Sequence, residues 1–199
     1  VGQAEHGQRV PVGREGLVPG FPHPLGGALG DDQRGMGRLQ GNKLGYEGKI
    51  GIAFDEWNLR GWHHPFRGTP AAIAERRRND LNSTYTMADA VFSAGILNTC
   101  LRHAGTVRMA NMAPVVNGRG PLYVHPRGIV KRTTFHVLQM FANLLEENVA
   151  DSWTSGDRLE GSEIQALDAV ATCDSAGKTW RLVLVNRHAD KTLACHVIL

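Results

Sequence analysis

The sequence predicts an α/β fold that gives way to an all-β unit. Three observations carry this. A short apolar run, Ile50-Gly51-Ile52-Ala53-Phe54, ends abruptly in Asp55, Glu56, Trp57 and Asn58. Two segments with apolar residues at three- and four-residue spacing come next, separated by a second short apolar run. After about residue 150 the helical spacing ceases, and short strand-like runs alternate with turn residues. The order strand, helix, strand, helix, then strands makes the middle of the chain a pair of βα units from a parallel α/β fold.

The bulk properties narrow the function classes. At 199 residues the chain holds one domain or one and a fraction. Its net charge of +3 is mild and points to no nucleic-acid or membrane partner. No run of about 18 apolar residues occurs, so no membrane span is expected. The first residues, Val1 to Asp32, lack the apolar core of a signal peptide. Cys100, Cys173 and Cys195 are widely spaced and form no Cys-x-x-Cys. They make neither a disulfide framework nor a zinc site. The expectation is a reduced, cytoplasmic setting with no cofactor and no metal.

Residues 1–45 hold 12 of the 24 glycines, several prolines and arginines, and the single aromatic Phe21. Neither strand nor helical spacing is evident there. Such a segment buries too little surface to offset its ordering entropy, so it is expected to be disordered. Its Gly/Arg/Pro-rich composition also resembles a GC-rich gene read in another frame, which would make it a non-native partner of residues 46–199.

Residues 46–150 are expected to form the βα part. Lys49 to Phe54 reads as a buried strand, because an apolar run without alternation suits a strand covered on both faces. Leu59 to Ser83 reads as a long functional loop containing Trp62, His63, His64, Pro65 and Phe66, then Arg76-Arg77-Arg78. Tyr85 to His103 is a helix whose apolar face is Met87, Ala90, Val91, Ala94, Leu97 and Leu101. Thr86 with Asp89 forms a capping box, and Arg102, His103 and Gly105 mark the other end. Val107 to Met112 is a second strand with Asn111 near its end. Asn117 to Val130, punctuated by glycine and proline, is a loop. Thr133 to Leu145 is a second helix, capped by Thr133 and burying Val137, Leu138, Phe141, Leu144 and Leu145.

Residues 151–199 are expected to be all-β. Leu167 to Thr172, Thr179 to Asn186 and Leu193 to Leu199 read as strands, with a turn at Asp174-Ser175-Ala176-Gly177.

The chemistry concentrates where the first strand ends. A carboxylate at a strand end, beside aromatic and amide groups, suits nucleophilic or acid–base work on a sugar. Glu56 is therefore the catalytic candidate. The competing reading is a carboxylate paired with a nearby arginine. Asp55 points to the other side of the strand and is expected to fix the strand end by hydrogen bonds. Trp57, Asn58 and Trp62 could wall a sugar site, because flat indoles stack on sugar rings; a buried structural Trp is as common. His63-His64 lacks a third ligand at metal spacing, and loop solvation is the simpler role. Cys195-His196 lies inside an expected strand, where a nucleophile pair does not fit.

Ile52-Ala53-Phe54-Asp55-Glu56-Trp57-Asn58 resembles the nucleophile strand of the α-L-arabinofuranosidases of glycoside hydrolase family 51. The resemblance continues in order. Tyr85 to Ala90 with Leu97-Asn98 is similar to the helix after that strand. Arg102-His103-Ala104, Met109 to Ala113 and Val116-Asn117 resemble the eighth strand and its exit. Lys131 to His136 is similar to the start of the eighth helix, and Leu184-Val185-Asn186-Arg187 to a strand of the C-terminal β domain. The match runs from about residue 46 to 199.

The resemblance implies the C-terminal part of a (β/α)8 barrel, about its last two βα units, followed by the start of a jelly-roll-like sandwich. It implies a retaining mechanism in which Glu56 is the nucleophile and a second glutamate is the acid/base, the carboxyl groups standing about 5–5.5 Å apart. Trp57, Asn58, Trp62 and Asn111 would bind substrate, an arabinose-containing oligosaccharide or polysaccharide, and the full-length enzyme could form a homo-oligomer. The family carries its acid/base in an Asn-Glu pair upstream of the nucleophile, and no Asn-Glu dipeptide occurs here. The chain is thus expected to be an enzyme fragment inactive alone, or a non-catalytic remnant that binds or oligomerises. Two positions depart from the family: Pro114 stands where Gln is usual, and Arg60 where an aromatic is common, with Trp62 the nearest substitute.

Overall fold

The computed structural model describes residues 8–13, 45, 49–60, 69–79 and 81–198. In chain order the elements are β1 (Gln8–Gly13), β2 (Ile52–Trp57), α1 (Pro70–Asn79), a 3-10 turn (Asn82–Thr84), α2 (Met87–Arg102), β3 (Val107–Met112), β4 (Leu122–His125), β5 (Gly128–Lys131), α3 (Thr133–Leu144), β6 (Asn148–Ser152), β7 (Leu167–Cys173), β8 (Trp180–Asn186) and β9 (Cys195–Ile198). They divide into two units. One gathers the described residues of Val1–Ile52, Gly95–Arg108 and Leu144–Leu199; the other comprises those of Ala53–Ala94 and Met109–Asn143. No helix among the described residues is long and apolar enough to cross a membrane.

The first unit is built on a five-stranded sheet in the order β8-β7-β6-β1-β9. Pairing is antiparallel from β8 through β1, and β1 runs parallel to β9. β7 is its core strand: Leu167 through Thr172 are all buried. Alternation places Leu167 and Ala169 on one face, against Leu193 and Cys195. Asp168 takes the other face. There it accepts hydrogen bonds from Asn98 Nδ2 at 3.1 Å and Arg102 Nη1 at 2.8 Å, and forms an ion pair with Arg187 Nη2 at 2.9 Å. Arg102 and Asn98 lie one turn apart on α2, so the last turns of that helix are pinned to the core strand. Burial lowers the pKa of Arg187, and the Asp168 carboxylate opposes that shift. The β7–β8 hairpin closes where expected. Asp174 N–H donates to Thr179 O, Gly177 takes φ 66°, and Lys178 N–H donates to Asp174 Oδ1 at 2.7 Å. That last bond leads the causes that lower the Asp174 pKa.

The expected strands and helices of residues 85–186 form within a few residues of their predicted bounds, but the burial differs. β2 is not a buried strand: Ile52 is 39% exposed, and only Trp57 is buried along it. Among the described residues its sheet has two strands, β2 and β3, whereas a strand in a larger parallel sheet is flanked on both edges. In α2 the expected anchor Met87 is 68% exposed. Of the expected face Ala90 and Ala94 are buried, and Asp89, Ser93, Ile96, Asn98, Thr99 and Cys100 are buried with them. Its hydroxyls are satisfied within the helix, Ser93 donating to Asp89 O and Thr99 to Gly95 O, which lets polar residues sit inside. In α3 Leu144 is exposed, and Thr133 does not cap: its hydroxyl donates to Thr86 O at 3.0 Å.

Five helices and strands lie where none was expected. β1 falls in the segment read as disordered, and it is held by backbone pairing to β6 and β9. α1 lies within the long loop. Thr69 and Pro70 start it, with Ala72 N–H on Thr69 Oγ1, as a cap followed by proline at the first helical position should. β4 and β5 form a hairpin in which Pro126-Arg127 is the turn and Gly128 takes φ 143°. The proline and glycine that read as loop punctuation are the turn itself. β6 pairs with β7 from Asn148 to Ala150.

Replacing Asp168 by Ala strands Arg102 and Arg187 in a buried site. Breaking a buried pair from one side costs about 3–5 kcal/mol. Amide hydrogen exchange should show the opening free energy of β7 and β8 falling by about that amount, whereas Arg181→Ala, whose side chain is half exposed, should change it little.

Candidate active site

The candidate site lies at the carboxyl end of β2 and is built within the second unit. Glu56 is the penultimate residue of the strand and is exposed. Among the described residues no side-chain hydrogen bond or ion pair reaches it. Among the described residues no arginine pairs with it: Arg60, the arginine nearest in sequence, binds Asp89. Asp55 is likewise exposed, and among the described residues it makes no side-chain bond that would fix the strand end.

That fixing falls to other groups. Ala113 N–H donates to Trp57 O at 3.3 Å, continuing the β2–β3 ladder past Glu56. Asn58 Nδ2 donates to Ala113 O at 3.3 Å and to Arg119 O at 3.2 Å, while Asn58 Oδ1 accepts from Arg60 N–H at 3.1 Å. Asn58 therefore joins the exits of both strands. Trp57 is 6% exposed, and its indole N–H has no partner among the described residues. Asn111 sits on β3, exposed. Trp62, with His63 and His64, lies outside the described residues. The structure thus brings Glu56, Trp57 and Asn58 together at one strand end and places Asn111 on the paired strand. Arg77 and Arg78 are exposed on α1, and His196 is exposed on β9.

A second layer was not anticipated from the sequence. Arg60 Nε donates to Asp89 Oδ1 at 2.9 Å and Nη2 to Asp89 Oδ2 at 3.0 Å, a bidentate pair. The same guanidinium donates to Thr84 Oγ1 and Thr84 O, and lies 3.8 Å from the centre of the Tyr85 ring. Arg132, buried, approaches the same ring at 4.1 Å. It donates to Asn82 Oδ1, Tyr85 Oη, Gly118 O and Gly120 O. A Cβ on Gly120 would lie 2.5 Å from the Val115 backbone, so only glycine admits this loop path. The sequence showed the capping role of Asp89, and the structure has it: Thr86 N–H donates to Asp89 Oδ2 at 2.9 Å. It gave no signal of a pair between residues 29 positions apart.

A family model of the alpha-L-arabinofuranosidase C-terminal domain matches residues 55–196. The chain belongs to this family. Its match therefore begins at the carboxylates of β2 and runs into β9. An intracellular exo-alpha-(1->5)-L-arabinofuranosidase of Bifidobacterium longum is 28% identical over 71% of this chain and 28% of its own length. Alpha-L-arabinofuranosidase C of Emericella nidulans is 31% identical over 70% of this chain and 28% of its own. The chain thus spans under a third of the curated relatives it matches. The solved family 51 enzyme of Thermotoga petrophila shares the fold, with a TM-score of 0.57 at 21% identity over 71% of this chain and 29% of that one. The enzyme of Xanthomonas axonopodis gives 0.55 at 21% identity, over 73% and 28%. The chain carries the alpha-L-arabinofuranosidase C-terminal domain.

Asn58→Ala removes two donors and one acceptor from a partly buried strand end. Groups left without partners cost about 1–3 kcal/mol each when buried. Urea unfolding should register a loss of that order. Asn58→Asp, which keeps the acceptor for Arg60 N–H, should lose less at neutral pH if that bond matters, and as much as Ala if only the two donors do.

Proposed function

We propose that the chain contributes the nucleophile of a retaining α-L-arabinofuranosidase, with Glu56 in that role. The observation that supports this most is the state of Glu56 itself: exposed, without a side-chain partner among the described residues, and at the strand end where the family match begins. Its carboxylate would attack the anomeric carbon of a terminal α-L-arabinofuranosyl unit. The bond from that carbon to the leaving oxygen breaks as the new ester forms, and the leaving oxygen takes a proton from a general acid. Water then attacks the same carbon, giving its proton to the same group now acting as base, and the ester bond to Glu56 breaks. The barrel and jelly-roll-like architecture implied by the family would place β2 and β3 as two of eight parallel strands. Substrates are terminal non-reducing α-L-arabinofuranosyl residues of arabinan or arabinoxylan oligosaccharides. Trp57, Asn58, Trp62 and Asn111 are assigned to hold them, in an intracellular setting like that named for the Bifidobacterium relative.

The acid/base is assigned outside this chain, because the family carries it in an Asn-Glu pair and none occurs here. General acid–base catalysis contributes about 10²–10⁴-fold. The chain alone should therefore be a nucleophile without its proton donor. The absence of that pair also favours a second reading, in which the chain is a non-catalytic piece that binds or oligomerises.

An arabinofuranoside with a dinitrophenyl leaving group separates these readings, because that group departs without protonation. The expected result is one covalent arabinosyl adduct, mapped by peptide mass to Glu56 and lost in Glu56→Gln. Methyl arabinofuranoside should give no turnover. An adduct that persists in Glu56→Gln refutes the nucleophile assignment. Turnover of the methyl glycoside that Glu56→Gln abolishes refutes the missing acid/base.

A further inference from the structure

Glu56 has no side-chain partner among the described residues, so its position is inherited from its backbone. On one side the β2–β3 ladder sets that backbone, through Ala113 N–H on Trp57 O. On the other side the chain leaves the strand within four residues and reaches Arg60. Both the main chain and the side chain of Arg60 are tied down. Its N–H donates to Asn58 Oδ1, and its carbonyl accepts from Arg119 Nη1 at 3.4 Å. Its guanidinium spans Asp89 and Thr84 and stacks on Tyr85. Asp89 is fixed in turn by the first turn of α2, where it accepts from Thr86 N–H.

We propose that Arg60 is the positioning residue for the Glu56 carboxylate. Its fork on Asp89 locks the exit of β2 to the start of α2, and so fixes the strand end that aims the nucleophile; the inference rests on the nucleophile role given to Glu56 above. A point charge does not serve this role. The planar fork meets both carboxylate oxygens and presents a flat face to the Tyr85 ring at the same time, which an ammonium cannot do. Tyr85 extends the lock to the exit of β3. Arg132 approaches the same ring and holds Gly118 O and Gly120 O. One aromatic ring thereby sets two strand exits relative to each other within the unit. Nucleophile placement is worth this much structure, because an error of about 1 Å in a reacting group costs on the order of 10²-fold in rate.

The test uses the full chain with Arg60→Lys, Arg60→Gln and Asp89→Asn, and two readouts. The first is the rate of Glu56 arabinosylation by the dinitrophenyl arabinofuranoside, resolved into a maximal rate and a half-saturating concentration. The second is amide hydrogen exchange over Trp57–Arg60 in the absence of sugar. Arg60→Lys and Arg60→Gln should each lower the maximal rate by about 10²-fold, leave half-saturation within about two-fold, and speed exchange at Asn58 and Arg60. Asp89→Asn should reproduce both effects while the exchange of β7 and β8 stays as in the wild type, which separates a lost aim from general unfolding. Wild-type rate and wild-type exchange in Arg60→Lys overturn the proposal, as does a change confined to half-saturation. If the wild-type chain itself is never labelled at Glu56, the nucleophile reading fails. The exchange data then decide the lock alone: unaltered protection at Asn58 and Arg60 in Arg60→Lys overturns it.

Discussion

The bidentate pair between Arg60 and Asp89 is the interaction on which the second unit depends. A buried ion pair is not in itself a strong source of stability, because the desolvation of both groups offsets most of their attraction. What it supplies is geometry. The two carboxylate oxygens of Asp89 accept from two different nitrogens of one guanidinium, and one of them also accepts from the backbone of Thr86. These partners belong to different segments: the exit of β2, and the entry to α2. Moving either segment breaks several directional bonds at once. An apolar contact of the same area would tolerate sliding, whereas a fork on a carboxylate does not.

The first unit uses the same device with different residues. Asp168 lies on a core strand between Arg102 from α2 and Arg187 just past β8. One carboxylate thus faces two guanidiniums and an amide. The alternation of β7 explains how a charged residue comes to be there: Leu167 and Ala169 occupy the apolar face, so Asp168 must take the other. α2 is shared by the two units, through Ala94 in one and from Gly95 in the other. Its buried side is accordingly polar at both ends, with Asp89 near the start and Asn98 and Thr99 near the finish. This is why the helix departs from the apolar stripe that its spacing predicts.

How much of the fold was legible depends on which signals are local. The capping box at Thr86 and Asp89 was readable, because its bonds join residues three apart. So were the hairpin turn at Asp174 to Gly177 and the strand bounds on either side of it, since alternation and turn chemistry are properties of a few consecutive residues. β4 and β5 were missed for a local reason too. Pro126 and Gly128 mark a tight turn as well as a loop, and only the pairing of Leu122 with Lys131 decides between them. β1 lacked any pattern because its hydrogen bonds come from β6 and β9, far along the chain. In the site, Glu56, Trp57 and Asn58 were visible as polar residues at the end of an apolar run. The bonds that hold them were not: Asn58 to Arg119, Arg60 to Asp89 and Arg132 to Asn82 cross 61, 29 and 50 positions. No periodicity encodes them.

The contrast between Glu56 and its surroundings is the feature that ties structure to chemistry. Asn58, Arg60, Asp89 and Arg132 each make several bonds, and Tyr85 carries two guanidiniums on its ring. Glu56, on β2, makes no side-chain bond among the described residues. A carboxylate with a structural job would be drawn into such a network, as Asp89 and Asp168 are. Arg60 and Arg132 each donate to several other acceptors, Asp89 and Thr84 for the one and Asn82, Gly118 and Gly120 for the other. A network that satisfies its cations internally is how a strand end can be rigid and yet leave a carboxylate exposed.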